Sequence, residues 1–220
     1  MIKTYKILSL LLSYPNDELQ DFLLQVENEL REEALLQEET ISEIAKFCKR
    51  FNQIDLTDWQ EEYVQLFDYS RSVSLHIFEH IKGDSRDRGQ AMVNLMEFYK
   101  EKGMHLTAKE LPDYIPAFLE FLSTLTIPKS AELLAETVNI MDRINEALND
   151  SENLYSFIFK AIISLSAKQP DKAITQEMIK NEKPLDLDAE YEEEAVTFAG
   201  AAPSCSSQAT SACKSTIRPI

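Results

Sequence analysis

The chain has 220 residues, and 22 Lys and Arg against 38 Asp and Glu give it a formal net charge of −16. That length fits one domain plus a tail, and an apolar content of 44% is enough to build one core. Four glycines are too few for a phosphate-cradling loop or for the many tight turns of a sandwich or barrel. The acidic balance argues against direct nucleic-acid binding, which needs clustered Lys and Arg, and suits basic partners or simple solubility.

No window approaches the roughly 20 apolar residues of a membrane span. Ile7, Leu8, Leu10, Leu11 and Leu12 make the first segment apolar, but no small-residue cleavage site follows, so no signal peptide is expected. Cys48, Cys205 and Cys213 form neither a disulfide framework nor a metal-binding pair. Cys48 falls in an apolar stripe, and a reduced, cytoplasmic setting is the expectation.

Helical periodicity runs from the first residues to about Ala167. Tyr14-Pro15-Asn16-Asp17 breaks it, and Asn16 is placed to cap a helix whose Leu19, Phe22, Leu23, Val26 and Leu30 share one face. Ile41, Ile44, Ala45, Cys48 and Phe51 repeat the spacing. Thr57 to Gln60 reads as a capping box opening a helix that presents Trp59, Tyr63, Leu66 and Phe67. Asp84 is placed to cap a long helix through Ala91, Met92, Leu95, Met96 and Tyr99, with Gly103 at its end.

Pro112 is expected to open the next helix, bearing Ile115, Phe118, Leu119 and Leu122, with Pro116 tolerated in its first turn. Pro128 starts another, with Leu134, Val138, Met141, Ile144 and Leu148 inward. Ser151 begins a last one with Leu154, Ile158, Ala161, Ile162 and Leu165. No run alternates at period two, so the expected fold is an all-α, single-domain helical bundle over residues 1–168. Residues 169–220 read as an acidic, Ser/Ala-rich flexible tail, because seven carboxylates between Glu182 and Glu194 face Lys183 alone. A turn of helix is expected near Ile174 to Ile179.

The stretch from Leu75 to Ala91 concentrates two of the three histidines, a glycine pair and several charges at one loop-to-helix junction. His76-x-x-Glu79-His80 matches an inverted zinc-hydrolase motif: two His at i and i+4 would share a helix face, with Glu79 as general base. A catalytic zinc also needs a third protein ligand, and His105 in a loop is the remaining histidine. The plainer reading is a short helix of satisfied polar residues beside a groove. Asp84 and Asp87 suit a helix N-terminus, whereas Arg86 and Arg88 oppose its dipole. Those arginines fit an inter-helix ion-pair network or a contact surface equally. In Glu110-Leu111-Pro112-Asp113-Tyr114, ordinary capping competes with a carboxylate pair beside an aromatic that would hold a basic or amphipathic peptide.

Together these residues carry a resemblance. Tyr63-Val64-Gln65-Leu66-Phe67-Asp68, Ser74-Leu75-His76-x-Phe78-Glu79-His80 and Gly83-Asp84-Ser85-Arg86-Asp87-Arg88-Gly89-Gln90-Ala91-Met92 closely resemble the nitrate reductase delta chain family. The likeness continues from Glu110 through Leu122 and covers roughly Tyr5 to Leu165. That family stands with the TorD and DmsD chaperones of molybdoenzymes, whose Glu, Pro, Asp, His/Tyr signature is matched by Glu110, Pro112, Asp113 and Tyr114, with Leu111 intervening.

The resemblance implies a TorD-like all-helical fold and a cytoplasmic, non-enzymatic assembly chaperone that needs no cofactor of its own. Its partner would be the N-terminal segment of the apo nitrate reductase alpha subunit. It would keep that subunit open for molybdenum cofactor insertion and delay its membrane attachment, without becoming a subunit of the mature enzyme. The client-binding residues so implied are Leu66, Phe67, Asp68, His76, Phe78, Glu79, His80, Asp84, Arg86, Asp87, Arg88, Glu110, Pro112, Asp113 and Tyr114. Leu66, Phe67 and Phe78 would line an apolar groove, with Asp68, Glu79, Asp84 and Asp113 meeting basic client residues.

Overall fold

The computed structural model describes residues 1–81, 85–106 and 110–180. Among them every regular element is helical, apart from one isolated β-bridge. The helices are α1 (Lys3–Leu11), α2 (Asp17–Glu33), α3 (Glu38–Asn52), α4 (Leu56–Phe67), α5 (Ser85–Glu101), α6 (Ile115–Ser123), α7 (Ile127–Asp150), α8 (Tyr155–Ser164) and α9 (Lys172–Lys180). Two short 3-10 turns, Arg71–Val73 and Ile77–His80, lie between α4 and α5.

Helix α1 is apolar on most of its circumference, and Tyr5, Ile7, Leu8 and Leu11 are all buried. A helix with so wide an apolar surface belongs inside, and α1 packs against α2, α6 and α8. Helix α6 is buried almost throughout, from Ile115 to Ser123. The Glu33 carboxylate at the end of α2 accepts from the backbone N–H groups of Lys3 (2.8 Å) and Thr4 (2.5 Å), supplying donors of the α1 N-terminus with a partner.

Several sequence signals hold. Asn16 caps α2, its Oδ1 accepting from the Leu19 N–H at 2.8 Å. Gly103 sits at φ +85°, and the paired bonds Gly103 N–H to Lys100 O and Met104 N–H to Tyr99 O close α5 as a Schellman motif. Cys48 is a buried small residue whose thiol pKa burial pushes up to about 12.

Other signals are corrected. Asp55, not Thr57, caps α4, accepting from the Thr57 N–H at 2.9 Å, while Gln60 turns to the Pro15 carbonyl at 2.8 Å. Pro112 does not open a helix: α6 begins at Ile115, behind an extended Tyr114. Within the stretch read as tail, α9 is folded against α7. Lys172 Nζ bonds both oxygens of buried Asp142 at 2.9 and 3.0 Å, and the Thr175 hydroxyl donates to the same carboxylate at 2.9 Å. The acidic run beyond Lys180 lies outside the described residues.

A nest of aromatic rings joins α3, α4 and α8. Tyr155 touches Phe47 and Phe67, each at 4.9 Å between centroids, and Phe51 stacks on Trp59 at 5.0 Å. At its centre the Trp59 indole N–H donates to the Tyr155 hydroxyl at 2.9 Å, both residues being buried. Tyr155→Phe keeps the ring but strands a buried indole donor. It should lower unfolding free energy by about 1–3 kcal/mol in urea titrations, with no loss of helical circular dichroism.

Candidate functional site

The two sequence clusters meet. Residues 74–77 lie beside 113–115, leading into the 3-10 turn Ile77–His80, and are pinned by Ile115 N–H to Leu75 O (2.8 Å), Ile77 N–H to Asp113 O (3.0 Å) and the bridge between His76 and Tyr114. Leu75 and Ile77 are buried in the core, whereas His76 and Phe78 remain part-exposed.

Asp113 is the knot. Its side chain is 1% exposed, yet a carboxylate leaves water cheaply only when it is bonded. One oxygen lies 3.2 Å from His76 Nδ1, and the other accepts the Phe78 N–H at 3.1 Å. Tyr99 Oη, reaching from α5, donates to the Pro112 carbonyl at 2.9 Å and fixes the turn from the other side.

Histidines 76 and 80 are driven in opposite directions. The hydrogen bond to Asp113 raises the His76 pKa, burial opposes it, and the charges of Asp113, Glu79 and Asp68 add to the rise. His80 faces inward, and burial pushes its pKa down to about 4. Its Nδ1 accepts from Arg143 Nη1 at 2.6 Å, which leaves Nε2–H to donate to the Ser74 carbonyl at 2.8 Å. Arg143 Nη1 also donates to the Ser72 carbonyl at 2.7 Å, so one buried guanidinium ties the 72–80 segment to α7.

This geometry overturns the zinc-hydrolase reading. His76 precedes the short 3-10 turn in an extended conformation, so the two histidines do not share a helix face. Both ring nitrogens of His80 are committed to protein atoms, one of them to a cation. Among the described residues, no group of three or more His, Cys, Asp or Glu is arranged to hold a metal ion.

The remaining sequence-derived site residues separate. Phe67 is in the aromatic nest. Leu66 lines a different groove of about 670 Å³ with Ile54, Arg50, Asp58, Glu61, Glu62, Gln65 and Asn153. Glu110 lines another of about 500 Å³ that includes His105 and Glu120. Asp68 and Asp87 are exposed, Phe78, Glu79, Arg88 and Tyr114 half-buried, and Pro112 buried. Asp84 and the Arg86 side chain lie outside the described residues.

Sequence reasoning missed Arg143, Tyr99 and Tyr14 as contributors. Asp142-Arg143 between the inward Met141 and Ile144 was the available signal for a buried charge. Tyr14, at the helix break, is 51% exposed and meets Tyr63 edge-on at 5.6 Å. Tyr63 Oη in turn donates to the Leu12 carbonyl at 2.8 Å and lies 3.2 Å from Tyr114 Oη.

Among the described residues the chain is an all-helical bundle in which internal hydrogen bonds hold a part-exposed aromatic and acidic loop. Residues 32–160 match the family model for the nitrate reductase delta subunit, and the chain belongs to that family. It is 34% identical over 196 residues to the nitrate reductase molybdenum cofactor assembly chaperone NarJ of Escherichia coli K12, covering 87% of this chain and 83% of that one. It is 33% identical to the probable chaperone NarW of the same strain, covering 88% and 82%. The fold is shared with a putative redox enzyme maturation protein from Archaeoglobus fulgidus, with a TM-score of 0.52 at 24% identity over 72% of this chain and 88% of that one.

The histidine pair gives a signed pH prediction. A raised His76 pKa contributes stability that is complete below its unfolded value and lost as pH rises through the folded one. A depressed His80 pKa does the reverse: stability falls as pH drops from 6.5 towards about 4. The stability advantage of wild type over His80→Gln, read by urea denaturation, should therefore shrink by roughly 2–3 kcal/mol between pH 7 and pH 4.

Proposed function

We propose that this protein is a chaperone for the assembly of respiratory nitrate reductase. It binds the N-terminal segment of the apo alpha subunit, keeps that subunit competent for molybdenum cofactor insertion and delays its attachment to the membrane. It works in the cytoplasm, catalyses no reaction, needs no cofactor of its own and leaves the finished enzyme.

The observation that supports this best is the loop held by Asp113. Its own polar groups are satisfied internally, while Glu79, Phe78, His76 and Tyr114 stay part-exposed on one rigid support beside exposed Asp68. An amphipathic segment is recognised by such a mixture: apolar and aromatic side chains cover its apolar face, and carboxylates meet its basic flank. The support is preformed, so little ordering entropy is spent on the chaperone side. A moderate affinity then allows release once the client is complete.

Roles divide accordingly. Glu79 and Asp68 contact the client directly, whereas Asp113 is too deeply buried for that and positions the loop. Titration calorimetry with a synthetic N-terminal peptide of the alpha subunit tests this division. Glu79→Ala should weaken binding about five- to tenfold, about 1–1.4 kcal/mol, with unchanged helicity and melting temperature. Asp113→Ala should weaken binding and also lower the melting temperature, because it strands the Phe78 N–H. Unaltered affinity in both variants would overturn the assignment of this loop. In cells lacking the gene, the alpha subunit should accumulate without molybdenum cofactor.

A further inference from the structure

We propose that Tyr14, Tyr63 and Tyr114, with Asp68 and Glu79 at their edge, form a cation-binding aromatic row that takes one arginine or lysine side chain of the client segment. This rests on the chaperone reading above and deepens it by naming the recognition chemistry.

The row is continuous. Tyr14 meets Tyr63 edge-on at 5.6 Å, the hydroxyls of Tyr63 and Tyr114 are 3.2 Å apart, and the Tyr114 ring lies 5.4 Å from His76. Tyr63 is buried, whereas Tyr14 is 51% exposed and Tyr114 half-buried. Ring surface is thus offered at both ends of a fixed centre. A cation over a tyrosine face is attracted by the ring quadrupole, and the attraction grows when carboxylates stand nearby.

The backbone adds to the field. Tyr63 Oη donates to the carbonyl of Leu12, the C-cap residue of α1, and Asp68 is the C-cap residue of α4. Neither α1 nor α4 has a basic residue in its last turn. A carboxylate at a helix C-terminus is the unfavourable sign, and Asp68 occupies that position. Asp68 lies near enough to act electrostatically on Tyr63, Tyr114 and His76. Among the described residues neither Asp68 nor Glu79 is ion-paired, whereas Glu29, Glu62, Glu120 and Glu146 each have a Lys or Arg within 2.9 Å. An exposed carboxylate such as Asp68 suits a basic side chain of the client.

The test is a double-mutant cycle by titration calorimetry with the full chain. One partner is the alpha-subunit N-terminal peptide; the other is a set of the same peptide in which each Arg becomes citrulline, or each Lys norleucine, one at a time. Wild type, Tyr14→Leu and Tyr14→Phe are compared, and circular dichroism checks that the exposed substitution leaves folding intact. Tyr14→Leu should weaken binding of the natural peptide about three- to tenfold, and one basic position should lose that sensitivity once neutralised. Tyr14→Phe keeps the ring face and should behave as wild type. Natural-peptide binding that is unchanged in Tyr14→Leu, or weakened equally for every neutralised peptide, would overturn the cation row while leaving the chaperone reading standing. Wild type binding none of the peptides would overturn both.

Discussion

A buried carboxylate organises the junction between the 72–80 and 110–115 segments. Asp113 is almost wholly removed from water, and a polar side chain there is tolerated only if the chain brings hydrogen-bond partners to it. The chain does so by running residues 74–78 alongside 113–115, so that the Phe78 N–H and the His76 ring both reach the carboxylate. The extended conformation of Tyr114, the late start of α6 at Ile115 and the inward position of Leu75 and Ile77 follow from that pairing. The loop is thereby tied to the turn before α6 by side-chain and backbone hydrogen bonds.

A second tether keeps the loop on the bundle. Arg143, buried on α7, donates to the Ser72 carbonyl and to His80. Two histidines four residues apart thereby acquire opposite character. His76, beside a carboxylate and part-exposed, favours its proton; His80, buried against a guanidinium, refuses one. Their spacing suggests a metal site when read as a string, yet the backbone turns them into different surroundings.

What could be read in the sequence was whatever depends on neighbours along the chain. Apolar spacing located the helices, Asn16 and Gly103 marked an end of α2 and of α5, and the scarcity of glycine argued for an all-α fold. What could not be read depends on partners far away in sequence. Pro112 has the local chemistry of a helix start, but the bonds from Ile115 to Leu75 and from Ile77 to Asp113 impose a turn. Asp113 reads as an exposed acid until His76 and Phe78 arrive to bury it. Asp142 draws α9 onto α7 through Lys172 and Thr175, a docking that the charged texture after Pro170 conceals. The resemblance drew attention to both segments, yet it could not tell that Asp113 is buried and holds the loop while Glu79 and Phe78 stay part-exposed.

The dependence of the loop on Asp113 is open to direct measurement by amide hydrogen exchange, comparing wild type with Asp113→Ala residue by residue. The account predicts that the Ile77 and Phe78 amides lose protection by at least tenfold while those of α3, α4 and α8 around the aromatic nest stay unchanged. Equal protection of residues 75–80 in the two proteins would contradict it, because the loop would then be held by something other than the buried carboxylate.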